Sequence, residues 1–429
     1  MVATGSVTQS NKRTWQQRYT VVSLCALSLF VCYIDRVNIS VAILPMQQEF
    51  GWSESVKGLV LSSFFVGYLV MQVGGGILAN RYGGKIVLGV AVIWWSLFTI
   101  LTPLAAGITL PVLLLVRVLM GVGEGASTPA AFSMFRYWVP ASERSRAVAM
   151  FSSGAPLGTL LALTTTGWIV TQFGWPMVFY GFGAIGFVWA IAWYLLVKDD
   201  PRKDARVSAA ELDLLTQTGT QETQHAPIPW KQFFAERAVW AIFVAAFATN
   251  WSLYMLLSWL PSYFATAHGL SVTQAGIYSA APWLTMFATI NIAAWIADGL
   301  IKRGLSITAT RKLMQSIGLI GSASCLLLVG FANTSVMALL TICGSLGLLA
   351  FCYSGFAPNA LDIAPGHAET LWGLINTVAT VPGIIGVAIT GWLVDISGTF
   401  MSAFALAATL NIISTIIWIT FSTGKKVID

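Results

Sequence analysis

Apolar residues run almost unbroken through twelve stretches of the chain, approximately 19 to 44, 56 to 79, 86 to 106, 110 to 135, 147 to 170, 177 to 197, 238 to 265, 273 to 297, 313 to 332, 336 to 358, 371 to 394 and 401 to 421. Polar residues gather in the short breaks between them. Each stretch is about 20 residues or more, which at ~1.5 Å per residue crosses the ~30 Å hydrocarbon core of a bilayer with some tilt. The pattern predicts twelve transmembrane helices. The alternating ten-residue segments of an outer-membrane barrel do not appear, and 39 Gly suit close helix packing. The apolar run after Arg18 is too long for the h-region of a signal peptide and reads as span 1.

Residues 198 to 237 interrupt this texture, holding 13 of the 40 charged residues of the chain. They read as a cytoplasmic linker that divides the spans six and six, giving an N-terminal bundle over 1–197, the linker over 198–237 and a C-terminal bundle over 238–429. Within the linker, Ser208 with Glu211 three positions on predicts a capped surface helix.

Composition excludes a soluble fold: 56% of residues are hydrophobic and 9% charged, against about 25% charged in a soluble domain. The net charge of +6 is a statement about topology rather than nucleic acid. With the N-terminus inside, 20 of the 23 Lys and Arg fall on one side of the membrane, so both termini are cytoplasmic. Arg36, Lys57 and Arg117 fail this sorting. Lys57 begins span 2 at the outer surface, whereas Arg36 and Arg117 lie within spans 1 and 4. Cys25, Cys32, Cys325, Cys343 and Cys352 all fall in apolar spans without metal-ligand spacing and read as core filling.

Two internal matches relate the halves. Thr166-Gly167-Trp168-Ile169-Val170 recurs as Thr390-Gly391-Trp392-Leu393-Val394, an offset of 224. The turn Gly76 to Lys85, containing Asn80 and Arg81, recurs around Ala294 to Arg303 with Asp298, an offset of 218. Two matches at nearly one offset indicate parallel six-helix repeats. Such repeats, with a Gly-bearing basic turn between spans 2 and 3, resemble the major facilitator superfamily along the whole chain. Asn80 stands where that superfamily usually has Asp.

Four ionisable residues fall at membrane depth, all in the first half: Asp35 and Arg36 in span 1, Arg117 and Glu124 in span 4. A charge at mid-bilayer costs ~2.5–3.5 kcal/mol on insertion scales and ordinarily faces a cavity or pathway. Salt bridges between spans 1 and 4, or snorkelling of Arg36 to the outer surface, are the structural alternatives. An anion and proton site is favoured because each helix carries both an Arg and a carboxylate. Arg117 and Glu124 are seven apart, so they share a helix face about 10 Å apart, too far to pair. Gly121-x-x-x-Gly125 allows another helix close to Glu124. The run Gly121 to Gly125 follows no strand and is not a nucleotide loop. His225, His268 and His367 lie in the linker and loops, so coupling protons fall to carboxylates.

Polar residues at similar depth form a candidate lining: Asn38, Tyr68, Gln72, Asn250, Tyr254, Ser258, Tyr353, Ser354, Asn359 and Asn376. Tyr68 and Gln72, one turn apart, share a face. Trp251 and Trp372 stand among these residues and could stack on a ligand.

The segments Tyr33 to Ala42, Ser63 to Tyr68, Arg117 to Gly125, and Trp138-Val139-Pro140 with Glu143-Arg144 resemble the anion:cation symporter branch of that superfamily. The branch includes bacterial sugar-acid and hexuronate transporters, sialin-type and vesicular glutamate transporters, and plant organellar phosphate carriers. The resemblance implies that Arg36 binds a substrate carboxylate with help from Tyr68 and Asn376. It further implies that Asp35 and Glu124 carry protons and that Arg117 regulates Glu124. Ala155 follows Ser153-Gly154, where galactonate-type members have an amide side chain. The expectation is an all-α transporter of twelve helices, importing a small organic carboxylate, a sugar acid, with H+ as coupling ion and no other cofactor. It is expected to work as a monomer in the cell inner membrane. Na+-coupled transport of phosphate or another anion is the alternative within the family, and a channel or nontransporting sensor the alternative outside it. No catalytic set, metal motif or phosphate loop suggests an enzyme.

Overall fold

The computed structural model describes residues 16–217 and 229–428; Lys12, Arg13 and His225 lie outside this range. Twelve spans are present among the described residues. The first half runs through α1 (Gln17–Phe50), α2 (Glu54–Tyr82), α3 (Gly84–Ile108), α4 (Leu110–Gly125), α5 (Ser127–Trp138), α6 (Arg144–Phe173) and α7 (Trp175–Leu196). Two short linker helices follow, α8 (Ala209–Gln217) and α9 (Trp230–Ala235). The second half comprises α10 (Arg237–His268), α11 (Val272–Lys302), α12 (Ile307–Leu328), α13 (Ser335–Leu349), α14 (Cys352–Ile363), α15 (Ala368–Ser397) and α16 (Met401–Phe421).

Local chemistry sets the helix ends. Side chains of Ser53, Thr109, Ser306 and Thr334 accept amide N–H groups of the helices they precede, and Ser271 with Gln274 completes a capping box. Gly51 and Gly269 close α1 and α10 in the left-handed region, at φ 64° and 63°. The fourth span of each half is broken near mid-membrane, after Gly125 and again after Leu349. The breaks at Ala126 and Ala350 are 224 positions apart, the same offset as the Thr-Gly-Trp repeat. Fold and repeat therefore agree at this break.

Contacts between the halves run along α2 against α15 and α6 against α11. In the outer half of the membrane they are backbone-close. Gly391 faces the Glu54 carbonyl, Gly276 the Leu163 carbonyl, and Gly58 would bring a Cβ to 3.2–3.3 Å from the carbonyls of Ala388 and Val387. Thr171 and Thr273 share a hydroxyl contact at 3.0 Å. Toward the cytoplasm the same helices diverge: Gly373 on α15 has no neighbour within 4 Å, and Trp372 and Asn376 are exposed. The outer side is closed and the inner side open.

The linker is attached to the first half. Ser208 accepts the Glu211 amide at 3.2 Å, as the capping pattern predicts. The Glu211 carboxylate does not return to that cap; it accepts the amides of Gln17 and Arg18 at 3.2 and 2.9 Å, at the free N-terminus of α1. At the turn between α2 and α3, where Asn80 replaces an acid, the Asp199 carboxylate from the end of span 6 accepts the Lys85 amide at 3.1 Å.

Candidate functional site

The centre of the first half is built on the close approach of α2 to α4. A Cβ on Gly67 would collide with the Val118 carbonyl, and one on Gly121 with the Phe64 carbonyl; one on Gly125 would lie 2.7 Å from the Tyr68 carbonyl. The small-residue spacing around Glu124 thus receives α2 and sets Phe64 and Tyr68 beside the charges of α1 and α4.

Arg36 turns into this space. Its Nε donates to Glu124 Oε2 at 2.9 Å and its Nη2 lies 2.9 Å from the same oxygen. Cys32 Sγ, one turn earlier on α1, donates to that oxygen at 3.1 Å and accepts from Arg36 Nη2 at 3.6 Å. The guanidinium lies 4.6 Å from the ring centroids of both Tyr33 and Tyr68 and 5.0 Å from that of Phe64, contacts worth up to about 2 kcal/mol each when desolvated. Arg36 is 7% exposed and Glu124 fully buried. The salt bridge between spans 1 and 4 therefore exists, and Arg36 does not snorkel outward.

Arg117 makes no hydrogen bond to Glu124 among the described residues. Its Nη1 contacts Met120 Sδ at 3.0 Å and its guanidinium lies 5.6 Å from the Phe64 ring. Glu124 pairs with Arg36, and both guanidinium groups neighbour the Phe64 ring, so any influence of Arg117 on Glu124 acts through space. Asp35 is fully buried beside the Trp95 indole N–H, which is not aligned for a full hydrogen bond to either carboxylate oxygen. Glu124 Oε1 has no hydrogen-bond partner among the described residues. Asp35 and Arg36, adjacent in sequence, point to different surroundings, as a 100° rotation per residue requires.

The second half adds neutral groups. Tyr254 packs against Phe65 with centroids 4.7 Å apart, and Tyr254 and Tyr353 lie within electrostatic reach of Tyr33. Gln72 and Tyr68 part company: Tyr68 stays over Arg36, while Gln72 Nε2 crosses to Thr380 Oγ1 at 2.9 Å. Asn376, one turn before Thr380, is exposed where the halves diverge, and its carbonyl accepts the Thr380 hydroxyl. Asn250 donates to the Ala246 carbonyl within its own helix. Trp251 is buried against Gly386, and Trp372 lies 6.3 Å from Phe356.

One expected lining residue has its side chain engaged elsewhere. Asn359 Nδ2 donates to the Thr423 carbonyl at 2.8 Å and fastens the C-terminal segment to α14, next to the Arg311–Asp362 pair at 2.8 Å. It is a structural anchor near the cytoplasmic surface. Ser354 is buried, and its carbonyl accepts from Arg311 in the same network. Conversely, Cys32 is more than core filling, and Tyr33 has a place the sequence did not assign. Their spacing of four and three residues before Arg36 was the available signal.

Outward of Arg36, the space between Arg36, Arg117, Phe64, Ser40 and Ser258 is a void of about 10 Å3, room for about one water. A larger cavity of about 570 Å3 lies at the outer rim, lined by His268, Asp395 and Phe404, and includes none of the four central charges.

Residues 25–310 match the family model described as Major Facilitator Superfamily. A chloroplastic protein of Oryza sativa subsp. japonica named "Probable anion transporter 4" is 45% identical over 97% of this chain and 71% of its own. The chloroplastic ascorbate transporter of Arabidopsis thaliana is 43% identical over 97% of this chain and 77% of its own. The chloroplastic sodium-dependent phosphate transport protein 1 of Arabidopsis thaliana is 41% identical, covering 97% and 81%. A bacterial homologue of the human lysosomal transporter Spinster superposes with a TM-score of 0.78 at 19% identity, covering 95% of this chain and 97% of that one. The D-xylose–proton symporter does so at 0.76 and 16%, covering 95% and 99%; these two likenesses show the fold alone. The relatives are named as transporters and not as enzymes, and their chloroplastic names give no support to a cell inner membrane. With twelve spans, two matched halves and charged residues at mid-depth, the chain belongs to the major facilitator superfamily, among the relatives of its anion:cation symporter branch.

Proposed function

We propose that the protein is a proton-coupled symporter of an organic carboxylate, a sugar acid or close analogue, working by alternating access. The observation that carries this reading is that Arg36 directs two donors to a single oxygen, Glu124 Oε2. A substrate carboxylate and Glu124 are rivals for one guanidinium. Protonating Glu124 removes its charge from Arg36, whose fork then accepts the substrate bidentately. Asp35, fully buried beside the Trp95 indole and within reach of the Arg117 charge, is the second proton site. Tyr33, Tyr68, Tyr254, Tyr353 and Asn376 offer hydroxyl and amide groups to the body of a polyol. The 43%-identical ascorbate transporter supports that class of substrate.

Two protons with one monoanion move one net charge inward, worth about 2.3 kcal/mol per 100 mV, or roughly fifty-fold accumulation. One monomer contains the whole pathway, in a membrane that sustains a proton gradient. The 41%-identical sodium-dependent phosphate transport protein supports a second reading, Na+-coupled phosphate uptake. Purified protein in liposomes, offered ascorbate, hexuronates and phosphate under imposed pH or Na+ gradients, separates them. Uptake that requires Na+ and ignores pH refutes the proton reading.

A further inference from the structure

Lys57, the third basic residue to fail the topology sorting, is not at the surface. It is fully buried, with Nζ 2.6 Å from Glu54 Oε2 and 2.8 Å from Gln47 Oε1, and lies 5.1 Å from the Trp259 ring of the opposite half. Gln47 Nε2 also donates to Glu54 Oε1 at 2.8 Å. Across the boundary, the Asp395 carboxylate in the last turns of α15 accepts the backbone N–H of Glu54 at 2.9 Å and of Ser55 at 2.7 Å. These are first-turn amides of α2, which have no partner within their own helix and carry the positive end of its dipole. One turn before Asp395, Gly391 meets the Glu54 carbonyl so closely that a Cβ has no room.

We propose that Asp395 is the latch of the outer gate: its carboxylate, seated on the α2 N-terminus of the opposite half, holds the outer side closed and leaves those amides each time that side opens. Other polar contacts between the halves, Thr171 with Thr273 and Gln72 with Thr380, are neutral. Asp395 contributes charge-assisted bonds, roughly twice as strong. Lys57, Glu54 and Gln47 all belong to α1 and α2 and move together. Opening therefore takes from Lys57 both the Trp259 ring and the nearby Asp395 charge and turns its ammonium toward the outer entrance. The latch lies far in sequence and depth from Arg36 and Glu124 and touches neither.

The inference rests on the alternating-access reading, and the test separates the two. Spin labels at Gln48→Cys and Asn333→Cys report the outer side, and labels at Arg146→Cys and Arg303→Cys the inner side, each pair in a Cys325→Ala, Cys343→Ala background. Distances are measured by double electron–electron resonance in nanodiscs, with and without substrate and across pH. Asp395→Ala raises the ratio of outer-open to outer-closed molecules by about tenfold or more, the loss of one charge-assisted bond. The inner pair shortens in step. Gly391→Val, a wedge at the same contact, shifts the ratio the same way, and Asp395→Asn shifts it less. Two populations in the unmodified chain with an unchanged ratio in Asp395→Ala and Gly391→Val overturn the latch alone. One fixed distance in the unmodified chain under every condition overturns alternating access itself. If Asp395→Ala does not fold, Asp395→Asn and Gly391→Val decide by the same ratio.

Discussion

Replacing Glu124 by Gln tests the rivalry at Arg36 most directly. In the unmodified chain Oε2 receives Arg36 Nε and Nη2 and the Cys32 thiol. Hydrogen bonds to charged groups contribute about 1.5–3 kcal/mol each, so a carboxylate arriving at Arg36 displaces about 3–6 kcal/mol of existing interaction. A glutamine amide accepts at neutral strength, about half of this. The competition removed is then about 1.5–3 kcal/mol, or roughly ten- to a hundred-fold in affinity at a pH where Glu124 is ionised. The vacant guanidinium also destabilises the empty protein, by up to about 3–5 kcal/mol if no anion replaces the carboxylate. Three results are expected together. Equilibrium binding of the transported anion is as tight as in the unmodified protein or tighter, counterflow exchange persists, and uptake driven by a pH gradient falls to background. The ligand-induced rise in melting temperature also exceeds that of the unmodified protein. Full pH-driven uptake by Glu124→Gln, or loss of binding, refutes the reasoning.

Arg36→Lys keeps the charge and removes the fork, so substrate binding falls by at least tenfold in the binding assay while Glu124 stays paired. Asn359→Ala removes the bond to the partly buried Thr423 carbonyl; it lowers the melting temperature by an amount matching about 0.5–1.5 kcal/mol and leaves substrate affinity unchanged. In the linker, hydrogen bonds from Arg206 hold the Asp204 carboxyl below its ordinary value. A depressed carboxyl contributes stability above its unfolded pKa and loses it as pH falls through the folded one, so this turn loosens in acid. Arg206 is partly exposed, and the contribution is about 1 kcal/mol or less after screening. Asp204→Asn reproduces the loosening at neutral pH, read as faster tryptic cleavage between 199 and 207.

The sequence was most legible where membrane physics leaves few options. Twelve runs of sufficient length, positive residues on one side and a repeat at 224 lead to twelve spans whose fourth members break 224 positions apart. Arg36, Arg117, Asp35 and Glu124 were legible for the same reason, since buried charge is costly enough to stand out. Their partners were not. Periodicity says that Arg117 and Glu124 share a face, but which Arg reaches Glu124 depends on how α1 and α4 pack around Phe64 of α2, a matter of helix packing. Asn359 misled because an amide at the end of a span looks alike whether it faces a substrate or a chain terminus. Lys57 misled because a lysine at a helix start normally reaches water, and here the opposite half covers it.

All four central charges sit on one half, whereas the other half brings tyrosines and amides. Under the proposed function the halves divide labour: the first would read charge and couple to the ion gradient, and the second would read the shape of the uncharged remainder of the cargo. A family built this way can diversify by revising α10 to α16 without disturbing energy coupling. Chimeras joining this N-terminal half to the C-terminal half of a relative should inherit their substrate from one parent and their driving ion from the other.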